Sequence, residues 1–114
     1  MTPDEMKTIV MSFPGAEEGM SYGSPAYKLN GKFFTRLRRD DQSAVIMEVS
    51  RDEREMLMEA EPDTFHFTAH YKDYDCVLAR IETLHSGSFA NFLARRFRKI
   101  AKKTAVKAWE SNKG

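Results

Sequence analysis

Three groups of residues in this chain have types and spacings that could do chemistry. The first is cationic. Between Ser88 and Lys107 stand Arg95, Arg96, Arg98, Lys99, Lys102, Lys103 and Lys107, with no acid among them. On a helix, Arg95, Arg98, Lys99 and Lys102 fall three and four apart along one flank, and Arg96, Lys99, Lys103 and Lys107 along the next. Such a flank repels itself unless neutralised. Phosphates would neutralise it, releasing counterions and making affinity depend on salt. Cations near a helix carboxyl end also oppose its dipole and can pair with the protein's own acids, so the same residues suit a solvated or internally paired face. Arg36, Arg38 and Arg39 extend the patch if their hairpin adjoins the helix. The expected nucleic-acid contacts are Arg36, Arg38, Arg95, Arg98, Lys99, Lys102 and Lys103, and phosphate contacts of this kind carry no sequence preference.

The second group is metal-like: His66, His70 and His85 near Asp73 and Asp75. His66 and His70 share one face of the strand expected there but lie four residues apart, roughly 13 Å at strand rise, too far to hold one ion together. The third is nucleophilic: Ser24 and Cys76, with three histidines and many acids but no nucleophile-elbow or cysteine-protease wording. Gly15-Ala16-Glu17-Glu18-Gly19 places acids where a phosphate loop needs none. The expectation is a non-enzymatic protein without metal or cofactor. A small-molecule pocket around Tyr22, Ser24 and Tyr27 is a third functional possibility, behind nucleic-acid binding and a protein-interaction role.

The elements that must position these groups are legible in the patterning. Thr2-Pro3-Asp4-Glu5 opens a helix to about Ser12, with Met6, Ile9, Val10 and Phe13 on one stripe and Pro14-Gly15 ending it. Residues 26–49 read as three strands around the turns Asn30-Gly31 and Asp40-Asp41-Gln42, entered through Gly23-Ser24-Pro25 and preceded by a short extended piece at Met20-Ser21-Tyr22. In 32–39, Phe33, Thr35 and Leu37 take one face, and Phe34, Arg36 and Arg38 the wet one. Ser50 and Glu53 form a second capping box for a short helix with Met56, Leu57 and Ala60 on one side, ending at Glu61-Pro62. Strands follow at Thr64–Tyr71 and Cys76–Ile81. Ser86-Gly87-Ser88 caps a last helix to about Trp109, roughly 33 Å of helical rise, whose Phe89, Leu93, Phe97 and Ile100 face the sheet. The fold class is α+β: a two-layer antiparallel sheet with helices, in the order helix, three strands, helix, two strands, helix.

A length of 114 residues suits a single domain over 1–114 with one core, and the lone Cys76 cannot form an internal disulfide, which fits a small buried hydrophobe in a reducing cytoplasm. No apolar run reaches the roughly 18 residues of a membrane span, and the amino terminus lacks a secretory signal pattern, so the expectation is a cytoplasmic protein without a membrane partner. Net charge is +1, yet it is unevenly spread: residues 1–80 carry 10 Lys/Arg against 15 Asp/Glu, and residues 81–114 carry 8 against 2. The end of the chain is a basic block on an acidic body.

Several segments resemble the MmcQ/YjbR-like family: Phe13-Pro14-Gly15; Gly23-Ser24-Pro25-Ala26-Tyr27-Lys28 with Gly31-Lys32-Phe33-Phe34; Glu53-Arg54 with Leu57 and Pro62; and His70-Tyr71-Lys72-Asp73-Tyr74 with Val77-Leu78. The resemblance covers nearly the whole chain. It implies a compact α+β domain similar to that of type III secretion chaperones and a DNA-binding label, and it carries no catalytic set onto any position here. Relatives often place a proline where this chain has Asp75-Cys76. The chaperone-like shape supplies the second functional expectation, a non-enzymatic protein-interaction module that binds a protein partner or itself.

Overall fold

Thr2 Oγ1 accepts the Glu5 amide at 3.1 Å and the Glu5 carboxylate accepts the Thr2 amide at 2.9 Å. This reciprocal cap starts α1 (Pro3–Met11), which lays Met6 and Val10 into the core. The computed structural model describes residues 1–113. After α1 come β1 (Ala16–Ser21), β2 (Ser24–Leu29), β3 (Lys32–Arg36), β4 (Ser43–Met47), α2 (Arg51–Ala60), β5 (Phe65–His66), a 3₁₀ turn at Ala69–Tyr71, β6 (Cys76–Arg80), α3 (Ser86–Ile100) and α4 (Lys103–Lys113).

The strands form two antiparallel three-stranded sheets, β1-β2-β3 and β4-β6-β5. Asn30-Gly31 makes the β2–β3 turn as its φ values of +51° and +82° require. The expected meander of 26–49 is bent: β3 and β4 share one bridge, Leu37 with Ala44, and Arg38 donates its amide to the Ser43 carbonyl at 2.7 Å. Beyond that bridge the strands part. The Thr35 hydroxyl bonds the Val45 carbonyl at 2.8 Å where a ladder bond would otherwise run.

Of the expected extended piece Met20-Ser21-Tyr22, Met20 and Ser21 end a full edge strand, β1, paired in register from Ala16–Leu29 to Ser21–Ser24, while Tyr22 is not extended but opens a two-residue turn with Gly23. The faces of β3 also differ from strict alternation. Pairing shifts from Tyr27–Thr35 to Lys28–Phe33, so Phe34 is one residue extra. That bulge turns Phe34 into the core beside Leu37 and leaves Phe33 and Arg36 on the other side. The expected strand Thr64–Tyr71 has only Phe65 and His66 in the ladder, and the chain then coils into the 3₁₀ turn. In α2, Ser50 caps the Glu53 amide, but the Glu53 carboxylate reaches Arg95 instead of closing the box. Arg54 is the buried residue of that helix, and Met56 is 68 % exposed.

The last helix is two. His85 caps α3 through its ring nitrogen and the Gly87 amide, and the backbone is extended at Ala101 before α4 begins. α3 buries Phe89, Phe92, Leu93, Ala94 and Phe97 against Ala44, Ile46, Val77 and Ala79 in one core. No helix among the described residues is long and apolar enough to cross a membrane.

Candidate functional site

Where β3 and β4 part, the 3₁₀ turn closes over the gap and leaves two adjoining clefts. One, of about 290 Å³, is lined by Tyr22, Arg36, Arg38, Arg39, Asp40, His70 and Tyr71. The other, of about 260 Å³, shares Arg36, His70 and Tyr71 and continues to Phe33, Val45, Met47, Tyr74 and Cys76. The walls come from five places in the chain: the β1–β2 turn, β3 with the turn after it, β4, the segment around the 3₁₀ turn, and Cys76 at the start of β6.

The aromatic side is a cluster. His70 meets Tyr71 edge-on at 4.7 Å, and Tyr74 lies 6.5 Å from Tyr71 and 6.3 Å from His70. The cationic side is interleaved with it. The Arg36 guanidinium stands 5.4 Å from the Tyr22 ring centre, and that of Arg38 stands 5.8 Å from Tyr71. Arg36 Nη1 donates a long 3.5 Å hydrogen bond to the Tyr71 hydroxyl. Its Nε is buried and, among the described residues, is the one buried side-chain donor without an acceptor. Arg38 is held by Asp41 at 2.6 Å and more loosely by Asp40 at 3.8 Å. Arg36 and Arg39 have no carboxylate within 4 Å among the described residues. Arg39 Nη1 lies over Gly23, 3.1 Å from where a Cβ would stand.

The terminal cations are arranged differently. Arg95 forms a two-pronged pair with Glu53 at 2.7 and 3.1 Å, which holds its charge more firmly than usual. Arg96 bonds Glu48 at 2.5 Å and the Phe33 carbonyl at 2.7 Å, and Lys99 reaches the other Glu48 oxygen at 3.0 Å. Burial opposes the Glu48 charge, but the hydrogen bonds from Arg96 and Lys99 outweigh it and keep the carboxyl below the usual range. Arg98 pairs with Glu110 at 3.0 Å and lies over Trp109. Of the seven, Lys102, Lys103 and Lys107 have no carboxylate partner among the described residues.

The hairpin arginines and the helix cations occupy opposite sides of a sheet. Alternation along β4 sends Ala44 and Ile46 toward α3, and Val45 and Met47 into the cleft; along β6, Val77 and Ala79 oppose Cys76 in the same way. The structure thus brings Arg36 and Arg38 together, and places Arg95, Arg98, Lys99, Lys102 and Lys103 elsewhere. Tyr22, expected in a small-molecule pocket with Ser24 and Tyr27, and His70, expected among metal candidates, stand here with Tyr71 and Tyr74, for which the sequence suggests no site because an expected strand through Tyr71 puts that ring on the face of Phe65 and Phe67. The density of rings in His70-Tyr71-Lys72-Asp73-Tyr74 is the signal that was there.

The remaining groups resolve as structure. Ser43 Oγ and His66 Nε2 lie 2.8 Å apart, and Asp41 approaches the same ring nitrogen at 3.5 Å. A relay needs the acid on the other nitrogen and a reachable hydroxyl, whereas Ser43 is fully buried. Burial, with Arg80 nearby, lowers the His66 pKa. No group of three metal-ligating side chains occurs among the described residues. Tyr22 and Tyr27 do not share a pocket: Tyr27 is buried and bonds Glu18 at 3.3 Å beside a separate cleft at β1, and the Ser24 hydroxyl donates to the Ser21 carbonyl. Cys76 is buried, and that burial raises its thiol pKa.

No curated protein and no solved structure matches the chain. A family model described as YjbR matches residues 11–98, a stretch from the end of α1 through Arg98 that includes every wall of the arginine–tyrosine cleft and stops before α4. On that match, the chain belongs to the YjbR family.

Proposed function

We propose that this protein binds nucleic acid weakly and without sequence readout, using the arginine–tyrosine cleft as its contact surface. The observation that carries the reading is the pairing of unneutralised Arg36 and Arg39 with exposed aromatic rings in one concavity. Guanidinium groups take phosphate oxygens and rings take base faces. The terminal helix contributes less than its composition suggests, because Arg95, Arg96, Arg98 and Lys99 are already bonded to carboxylates.

The test is an anisotropy titration of a labelled oligonucleotide against charge variants on the two surfaces. Arg39→Glu combined with Arg36→Gln is expected to weaken binding by about ten-fold or more, and Lys102→Glu with Lys103→Glu to change it less than about two-fold. Loss confined to the lysine pair would put the contact on the helix joint and end this reading.

A second reading rests on β1. Among the described residues it is an edge strand, paired only with β2, and it carries Met20 at 71 % exposure. An open edge of this kind accepts another strand, from a second copy or a partner peptide. Light scattering over a wide concentration range checks self-association; a constant monomer mass removes that version.

A further inference from the structure

Tyr22 occupies a backbone position that suits its side chain poorly. It is the first residue of the two-residue β1–β2 turn, at φ +52°, followed by Gly23 at +76°. Glycine and asparagine adopt this left-handed conformation readily, and a bulky ring does not. The corresponding place in the β2–β3 turn holds Asn30 at +51°. Packing does not offset the strain, since Tyr22 is 88 % exposed. Strain kept without a packing reason points to function.

What surrounds the ring says which function. Arg36 stands over it, Arg39 lies against Gly23 beside it, and Tyr71 lines the same cleft. We infer that this cleft takes an unpaired nucleotide of a single strand, the base stacked on Tyr22 and its phosphate against Arg36 and Arg39. The inference rests on the nucleic-acid reading above and narrows it. A duplex closes its base faces inside the stack and offers a ring nothing, whereas an unpaired base exposes a π-face whatever its identity. Only two arginines here lack carboxylate partners among the described residues, too few for a surface that works by charge alone.

The test uses the full chain with a short labelled oligothymidylate and a duplex of equal length. Wild type is expected to bind the single strand about ten-fold more tightly than the duplex. Tyr22→Asn should raise the Tm, because asparagine suits the turn, and at the same time lower single-strand affinity by about ten-fold. Tyr22→Phe should keep the affinity. A duplex bound as well as the single strand, or unchanged affinity in Tyr22→Asn, overturns the stacked-base inference and leaves nucleic-acid binding standing. Failure to bind either polymer removes both.

Discussion

Individual side chains in this protein are held in protonation states that the fold enforces. Tyr27 is the clearest. Burial first, and then the neighbouring Glu18 charge, push its phenol from 10.0 up to about 12. The fold therefore retains a proton that the unfolded chain releases earlier. The stability linked to it is fully present below pH 10 and is lost as pH rises from there through about 12. Tyr27→Phe cannot titrate, so its urea midpoint should fall less than that of wild type across this window. Parallel midpoints in the two proteins would place the alkaline sensitivity in another group.

At the scale of elements, one buried residue organises the aromatic wall of the cleft. Arg54, on α2, donates to the carbonyls of Tyr71, Lys72, Tyr74 and Cys76 at 3.0 to 3.3 Å and covers the Phe67 ring at 4.3 Å. It ties the 3₁₀ turn and the loop after it to a helix, in place of the longer strand that alternation suggested. Arg54→Leu leaves those carbonyls without their donor and should cost about 2–4 kcal/mol. Arg54→Lys should recover only part, because an ammonium cannot span the fork. Denaturant unfolding measures the cost, and amide exchange at residues 71–76 should rise in step. A mutant as stable as wild type would mean that water replaces the guanidinium.

The break between α3 and α4 is an element-scale decision of another kind. Nothing in Ile100-Ala101-Lys102-Lys103 stops a helix, as there is no glycine or proline. Trp109 lies twelve residues beyond Phe97, about 18 Å along an unbroken helix. In the fold the two rings are 5.0 Å apart, and Trp109 also stacks on Phe13 at 5.5 Å. Doubling back gains those contacts and the Arg98–Glu110 pair. Part of that gain comes from Phe13, just after α1 and far away in sequence, so helical periodicity cannot register it.

For the whole molecule, the basic end and the acidic body meet in part. Glu48 and Glu53 bind three of the α3 cations, and the bonds tie α3 to β3, the end of β4 and α2. This has a measurable consequence for ligand binding. If all seven terminal cations met phosphates on a single strand, the slope of log affinity against log salt would be about −5; two free cleft arginines give about −1.4. The shallow value is expected. A steep slope would show that the helix cations, Lys102, Lys103 and Lys107 first among them, meet phosphates as well, contrary to the cleft assignment.

Some interactions within one turn or one hairpin were determined by the sequence alone. The Thr2–Glu5 cap, the Asn30-Gly31 turn and the apolar stripe of Phe89, Leu93 and Phe97 all involve residues a few positions apart, whose geometry follows from local backbone periodicity. Tertiary structure decided which cations remain free, where the long helix folds back, and that Tyr22 and Tyr71 line one cleft. Each outcome depends on partners tens of residues away: Arg95 with Glu53, Trp109 with Phe13, Tyr22 with a turn at residue 71. A charge pattern records that a group exists, and only the packing of elements brings its counter-charge within reach.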